Sequence, residues 1–217
     1  MSSRPAKGKF IAVEGVDGAG KGVQCAYLLS ALQDKDLQVL LTREPGGSPG
    51  AEEIRELVVN GSTDKWDDMT ELLLIYAARR SHLEKTILPA IDRGCWVISD
   101  RFADSSRAFQ GIAGGLGLET VESLHKLVVG DFAPDLTIVL DLDPEESLAR
   151  TRKRGGGEDR FEKKGLQYQQ KVREGFRQIA MQSPSSHVLI NAAGTMEEVK
   201  ERILAAVRQH PALGLTS

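Results

Sequence analysis

The feature that most constrains this chain is a glycine-rich loop near its start. Residues 15–22 spell GVDGAGKG, which matches the pattern G-x-x-x-x-G-K. The loop follows an apolar run at 10–13 and precedes a segment with a helical pattern, which is the place of a phosphate-binding loop between a buried strand and a helix. Its glycines let successive backbone N–H groups face one anion, while the helix N-terminus and Lys21 add positive charge. The predicted nucleotide-phosphate site consists of Gly15, Val16, Asp17, Gly18, Ala19, Gly20, Lys21 and Gly22.

Length, charge and cysteine content narrow the class of protein. The 217 residues fit one large domain with a substantial core, and the net charge of −3 argues against a broad nucleic-acid-binding surface. Cys25 and Cys95 match no metal or disulfide spacing, and no apolar stretch reaches the length of a membrane span. We expect a disordered lead-in at 1–9, a domain over 10–210, a cytoplasmic location, and no nucleic-acid or membrane partner.

Short apolar runs alternate with longer helical patterns along the chain. Strands are predicted at 10–14, 38–42, 95–99, 136–141 and 188–191, and helices at 21–33, 51–60, 69–93, 119–130, 144–154, 161–182 and 196–209. Several strands are apolar on successive residues, which is typical of parallel strands covered on both faces. The pattern predicts a three-layer, doubly wound α/β fold with a five-stranded parallel sheet, whose ligands bind at the carboxyl ends of the strands.

The first two predicted strands end beside Asp17 and Arg43. Asp17 is either a solvated turn residue or a carboxylate near the phosphates that binds a sugar hydroxyl or metal-bound water. Arg43 opens the segment Arg-Glu-Pro-Gly-Gly at 43–47. Pro-Gly-Gly alone indicates only a turn, but an arginine before it suits an anion held by two N–H groups.

The third predicted strand ends in Asp100 and Arg101. This pair is either a structural ion pair or part of a phosphoryl-transfer site, in which Asp100 holds the water shell of Mg²⁺ and Arg101 binds a phosphate. The following segment contains hydroxyls, a ring and an amide, a mixture suited to contacting the edge of a base, although loop capping explains the same residues. These residues are Ser105, Ser106, Phe109 and Gln110.

In the predicted helix 69–93, Arg79 follows Ile75 by four residues and Tyr76 by three, so the three side chains are expected to share a face. An arginine that continues an apolar stripe needs a partner, either a nucleobase carbonyl or a buried carboxylate.

A second arginine group surrounds Gly155-Gly156-Gly157. A charge run at a helix C-terminus is usually a solvated face that complements the helix dipole. Three glycines, however, offer hinges for a mobile lid over about 150–162 that brings arginines to the transferring phosphate and excludes water. The arginines concerned are Arg150, Arg152, Arg154 and Arg160.

Together these motifs resemble the thymidylate (dTMP) kinases of the nucleoside monophosphate kinase group. The resemblance runs from about residue 10 to the last helix and rests on the loop and on segments 43–47, 76–79, 100–110 and 159–162. It implies phosphorylation of dTMP to dTDP with ATP as co-substrate and Mg²⁺ as cofactor, in dTTP biosynthesis, by a homodimer.

The resemblance also implies roles for single residues. Lys21 and the loop amides would hold the ATP phosphates. Arg43 and Arg101 would bind the dTMP phosphate, and Asp17 its 3′-hydroxyl. Arg79 would reach thymine O4. Around thymine, further contacts would come from Ser105, Ser106, Phe109 and Gln110, with Ile75 or Tyr76 as the stacking partner. For adenine, the sequence offers two candidates, Arg150 and the turn Asn191-Ala192-Ala193 near the last strand.

Two loop positions depart from common family patterns. Gly18 stands where some members carry a catalytic arginine, so that duty passes to lid candidates, as in the bacterial-type arrangement; the candidates are Arg152, Arg154 and Arg160. Gly22 replaces a Ser or Thr that offers a hydroxyl to Mg²⁺, and Val23 offers none. We expect the phosphates of both nucleotides to hold Mg²⁺, with waters positioned by Asp100 and, as a second candidate, Asp17.

Overall fold

The fold is built on a five-stranded parallel sheet. The structure, a computed structural model, describes residues 7–154 and 160–215. The sheet order is β2-β3-β1-β4-β5. The strands are β1 (Phe10–Gly15), β2 (Val39–Arg43), β3 (Trp96–Asp100), β4 (Leu136–Asp141) and β5 (His187–Asn191). The predicted strands and the predicted α/β fold class are confirmed.

Helices cover both faces of this sheet. The α-helices are α1 (Lys21–Gln33), α2 (Pro49–Val59), α3 (Asp68–His82), α4 (Leu88–Asp92), α5 (Ala103–Ser106), α6 (Leu118–Val128), α7 (Pro144–Arg154), α8 (Leu166–Gln182) and α9 (Met196–Gln209). Two segments are π-helical, Leu83–Ile87 and Arg107–Ala113, and two are 3₁₀-helical, Glu162–Lys164 and Pro211–Leu213. Among the described residues, no helix is both long and apolar enough to cross a membrane.

Strand β1 lies at the centre, and all six of its residues are buried. Ile11 and Val13 pack in the large core cluster that includes residues of α1 and α9, whereas Phe10 and Ala12 pack in a second cluster with Ile87. Because successive side chains of a strand point to opposite faces, this division shows that both faces of the sheet are covered.

The strand register brings the carboxyl ends of three strands to one edge. Asp100 of β3 pairs with Val13 of β1 and with Arg43 of β2, while Gly15 of β1 pairs with Leu140 of β4. The loop after β1 therefore lies beside the residues that follow β2 and β3. This edge is where ligands bind in open parallel sheets.

Two long predicted helices are divided in the structure. The predicted helix 69–93 consists of α3, the π-helical segment and α4, because Pro89 lacks an N–H group and its ring crowds the carbonyl four residues earlier. The predicted helix 161–182 begins as the 3₁₀ segment, and α8 starts only after Gly165, whose φ is 89°.

The sequence analysis did not predict the helical stretch over 103–113. This stretch packs against α8, where a Cβ on Gly175 would lie 3.4 Å from the Cα of Ala108.

Two packed residues lie outside the predicted domain bounds of 10–210. Gly8 is buried and its N–H donates to the carbonyl of Ile91, so the packed part of the chain extends to the N-terminal side of Phe10. Leu213 packs in the core beyond the predicted boundary at 210. Residues 155–159 of the predicted lid lie outside the described residues.

Candidate active site

The glycine-rich loop wraps around the side chain of Lys21, the first residue of α1. The Lys21 Nζ donates to the carbonyls of Gly15 at 3.1 Å and Val16 at 2.9 Å. Burial, followed by the positive charge of Arg101, lowers the pKa of Lys21 below its ordinary value. The ammonium group is thus held inside the loop, where an anion would restore its charge balance.

Position 18 has no room for a side chain. Gly18 has a φ of 82°, a conformation that L-residues rarely adopt. A Cβ there would lie 2.4 Å from the carbonyl oxygen of Ser147 on α7. The Ser147 hydroxyl also donates to the carbonyl of Asp17, so α7 packs directly on the loop. An arginine at position 18 is therefore excluded by sterics as well as by sequence.

Arg101 joins the loop to the turn after β3. Its Nη2 donates to the Asp17 carboxylate at 2.6 Å, and its Nη1 donates to the carbonyl of Gly15 at 3.0 Å and to Ser105 Oγ at 2.9 Å. Although burial acts to lower it, the carboxylates of Asp17 and Asp100 raise the pKa of Arg101. Arg101 has a φ of 72°, which is uncommon for a residue other than glycine and is found at sites that the surroundings hold firmly.

Glu14 holds the turn after β3 in place, a role that the sequence analysis did not predict. The Glu14 carboxylate is fully buried and accepts hydrogen bonds from Phe102 N at 2.8 Å, Ser105 N at 3.1 Å and Ser105 Oγ at 2.6 Å. Burial, and then the negative charge of Asp104, raise the pKa of Glu14 to about 7. The same Ser105 hydroxyl that donates to Glu14 accepts from Arg101, so Glu14 helps to set the direction of that guanidinium.

Arg79 has a buried carboxylate partner, one of the two partners that the sequence left open. Its Nε donates to Glu44 at 2.7 Å, and its Nη groups donate to Ser106 Oγ at 3.1 Å and to the carbonyl of Phe102 at 3.0 Å. Burial acts to raise the pKa of Glu44, but Arg79 and His82 outweigh it and lower that pKa. Glu44 thus holds Arg79 at the rim of the cleft described below.

Ile75 and Tyr76 do not share a face, in contrast to the prediction. Ile75 lines the cleft, whereas Tyr76 packs with Leu72 and Val121 between α3 and α6. The centroid of the Tyr76 ring lies 4.4 Å from the Arg79 guanidinium carbon, so Tyr76 stabilises Arg79 by a cation–π contact. Adjacent helix residues point about 100° apart, and α6 takes up one of the two directions.

Gln110 connects the cleft to Arg160 through a buried acid. Its Nε2 donates to Glu71 Oε1 at 2.8 Å, and Arg160 forms an ion pair with the other Glu71 oxygen. Arg160 and Glu71 are both fully buried. Of the other predicted lid arginines, Arg152 is exposed, and the Arg154 side chain lies outside the described residues.

Two further predicted arginines, Arg43 and Arg150, each bind a neighbouring glutamate. Arg43 Nη2 donates to Glu52 at 3.0 Å with both side chains about half exposed. Arg150 donates to Glu146 at 2.6 Å and reaches the carbonyl of Gly194, in the turn after β5, at 3.4 Å.

A cleft of about 340 Å³ brings most of the predicted site together. The predicted residues that line it are Asp17, Gly18, Gly20, Lys21, Gly22, Arg43, Ile75, Arg79, Asp100, Arg101, Ser105, Ser106, Phe109 and Gln110. Sequence reasoning missed three of its other lining residues: Arg55, Val58 and Val59. Phe161, which lies inside the predicted lid of about 150–162, also lines the cleft. It packs edge-on against Phe109 with ring centroids 5.6 Å apart, so this part of the predicted lid forms part of the wall.

The phosphate-binding loop after β1 and the cleft that continues from it, on this parallel sheet, define a P-loop protein with the nucleoside monophosphate kinase fold. The thymidylate kinase family model matches residues 13–203. The chain is 46% identical over 209 residues to a thymidylate kinase of Caulobacter vibrioides, covering 96% of this chain and 99% of that relative. It is 48% identical over 198 residues to one of Dinoroseobacter shibae, covering 91% and 95%.

A solved thymidylate kinase structure from Ehrlichia chaffeensis matches with a TM-score of 0.76 and 30% identity, covering 93% of this chain and 99% of that chain. The chain belongs to the thymidylate kinase family, which phosphorylates dTMP to dTDP using ATP. The family and the reaction predicted from the sequence are confirmed.

Proposed function

We propose that the cleft holds dTMP with its phosphate at Arg101 and its base at Arg79 and Gln110, while the loop holds the ATP phosphates. The observation that carries this assignment is that one cleft is lined by Lys21, Asp100, Arg101 and Gln110 together. A phosphate cradle at one end and base-contacting groups at the other suit two nucleotides whose phosphates meet in the middle.

In this arrangement the chain's residues act by positioning and charge neutralisation. An oxygen of the dTMP phosphate attacks the γ-phosphorus of ATP, the bond to the bridging oxygen breaks, and ADP leaves. The attacking phosphate is already an anion, so no general base is required. Lys21 and Arg101 neutralise charge that moves between the nucleotides. Arg43 lies at the margin as a second phosphate contact, and Asp17 receives the 3′-hydroxyl.

We assign different duties to the lid arginines. Arg160 is bound to Glu71 and therefore supports the base end of the cleft. The exposed Arg152, and Arg154 beside the glycine run at 155–157, keep the proposed role of contacting the transferring phosphate. Both arginines belong to α7 and would bring positive charge to the transferring phosphate, where negative charge accumulates during the reaction.

The donor set fits Mg²⁺ without a protein-built cage. Among the described residues, no group of three His, Cys, Asp or Glu side chains could hold a metal ion. Asp100 Oδ2 lies 3.6 Å from the position of a Cβ on Gly22. Oxygen donors suit Mg²⁺, which keeps several waters. Asp100 would therefore hold the metal's water shell, and the ion would screen phosphate charge; Asp17 is the weaker candidate because Arg101 occupies its carboxylate.

Adenine binding and assembly complete the proposal. Arg150 lies beside the turn after β5, and its Nη1 is a buried nitrogen with no partner within the described residues, which favours an adenine contact there. Leu73 on α3 and Leu127 on α6 are 51% and 83% exposed, which supports pairing of two chains through this face. Analytical ultracentrifugation should then give a homodimer. The cytoplasmic location stays an expectation.

The direct test of the site assignment is Arg101→Ala. We expect kcat/KM for dTMP to fall by about a hundredfold or more, because a charge contact to the reacting phosphate is lost. Arg208→Ala, on the exposed face of α9, is the matched control and should retain wild-type kinetics. Wild-type kinetics for Arg101→Ala would refute the assignment.

A further inference from the structure

Gln110 places an unpaired acceptor at the base end of the cleft. Its side chain lines the cleft and is only 1% exposed. The Nε2 group donates to Glu71, but Oε1 accepts no hydrogen bond from the described residues. A buried acceptor without a partner is costly, so this oxygen is suited to a donor that a ligand supplies.

Glu71 determines which end of the Gln110 amide is left unpaired. An ionised carboxylate only accepts hydrogen bonds, so it requires the NH₂ end of the amide. A flipped amide would place its oxygen against the Glu71 oxygen and turn the NH₂ group to the other side. The orientation therefore follows from the chemistry of Glu71.

Two cationic side chains hold Glu71 in place. Arg160 binds one of its oxygens, and Lys164 Nζ lies 3.7 Å from the other. Arg160 is itself fixed by the carbonyls of the segment between α2 and α3, including Ser62 at 3.0 Å. A fully buried pair of this kind is retained only with such additional hydrogen bonds.

We propose that Glu71 is a specificity-determining positioning residue, which fixes the Gln110 amide so that its oxygen accepts the ring N3–H of the substrate base. This inference rests on the assignment of the cleft to dTMP. Thymine and uracil present an N3–H donor beside the O4 acceptor. Cytosine presents the reverse, an N3 acceptor beside an N4 amino donor. The Gln110 oxygen and the donor-only Arg79 match the first pattern and oppose the second.

The test measures the preference for dTMP over dCMP, as the ratio of their kcat/KM values, in Glu71→Gln. With a neutral amide at position 71 either orientation of Gln110 finds a partner, so we expect this preference to fall by about tenfold or more. Asp68→Asn is the matched control, because Asp68 also pairs with Lys164, at 3.5 Å, and within the described part of the chain it forms no hydrogen bond with Gln110. It should change the ratio by less than about twofold.

The ratio is insensitive to the fraction of folded enzyme, because both substrates are assayed on one preparation. If Glu71→Gln leaves Arg160 too poorly compensated to fold, the double variant Glu71→Gln with Arg160→Met removes both charges and carries the same measurement. An unchanged dTMP-to-dCMP ratio in the folded single or double variant would overturn the proposal.

Gln110→Ala separates this proposal from the site assignment on which it rests. If it weakens the preference for dTMP and Glu71→Gln does not, the cleft is the dTMP site and the positioning role of Glu71 is wrong. If neither Gln110→Ala nor Arg101→Ala changes the kinetics with dTMP, the site assignment itself is wrong.

Discussion

Gly22→Ser tests how this chain holds its metal ion. Gly22 is the second residue of α1 and has none of the positive φ values of Gly18 and Gly20. A Cβ at this position would meet Asp100 Oδ2 at 3.6 Å, an ordinary van der Waals contact, and no other group closely. Serine therefore fits without displacing the loop and restores the hydroxyl that P-loops commonly offer to Mg²⁺.

The expected effects are small and can be separated. Serine is a better helix former than glycine by roughly 0.5 kcal/mol, which corresponds to a rise in Tm of roughly 1–2 °C for a chain of this size. If phosphates and waters hold the metal, the added hydroxyl is not needed, and kcat should stay within about threefold of wild type, less than 1 kcal/mol in the barrier.

The assay is ADP release coupled to NADH oxidation, measured with dTMP across a series of Mg²⁺ concentrations. Gly22→Ala is the matched control, because alanine stabilises the helix at least as much as serine does but has no hydroxyl. A rise in kcat of about tenfold in Gly22→Ser but not in Gly22→Ala would contradict this metal-binding mode and show that the missing hydroxyl limits the enzyme.

Three further predictions concern buried charges and the base. Arg79→Met removes one partner of the Arg79–Glu44 ion pair, whose side chains are 1% and 2% exposed, so urea unfolding should show that the free energy of unfolding falls by about 3–5 kcal/mol. Adding Glu44→Gln to the same chain should recover part of this loss. Wild-type stability of Arg79→Met would contradict the prediction. The pKa of Glu14 is raised from 4.5 to about 7 in the folded state, so the folded protein binds this proton more tightly than the unfolded chain does. The free energy of unfolding therefore falls as the pH rises from about 4.5 through about 7. Glu14→Gln should remove this dependence, so parallel pH–stability curves for the two proteins would speak against it. dUMP lacks only the thymine methyl group, worth on the order of 1–3 kcal/mol, and should be a poor but measurable substrate, whereas no detectable turnover would contradict a mainly apolar contact.

Local chain chemistry is enough to predict the sheet and the phosphate loop. The apolar run at 10–13 and the glycines after it determine a buried strand and a turn that exposes N–H groups. The positions of Arg43 and Asp100 follow from one rule, that parallel strands end at the same edge, and the register of β2 and β3 pairs these two residues directly.

The roles of the buried acids could not be predicted from local sequence patterns. Glu14, Glu44 and Glu71 orient Arg101, Arg79 and Gln110, yet their partners lie 35 or more residues away in sequence, and no local pattern specifies them. Their one signal is a carboxylate within or beside an apolar run, as at Glu71 before Leu72. Such a residue is almost never fully buried unless it is paired.

The assignment of helix faces failed for a related reason. Helical spacing places Ile75 and Tyr76 together on a broad stripe, but the packing of α6 decides which of the two borders the cleft. Likewise, Arg160 occurs in a charged segment that is typical of a solvated face, and only the fold brings Glu71 to it, across 89 residues of sequence. Periodicity alone does not specify the neighbouring element.

In the proposed arrangement, one cleft joins an ATP-phosphate loop to a pocket that selects a thymine-like base. The most direct measurement is ATP consumption by the wild-type protein with dTMP, dUMP, dCMP, AMP, UMP or no acceptor. We predict rapid ADP release with dTMP, slow release with dUMP, much slower but measurable release with dCMP, and none above background with AMP, UMP or no acceptor. Equal turnover with dCMP and dTMP, or ADP release that is independent of an acceptor, would contradict it.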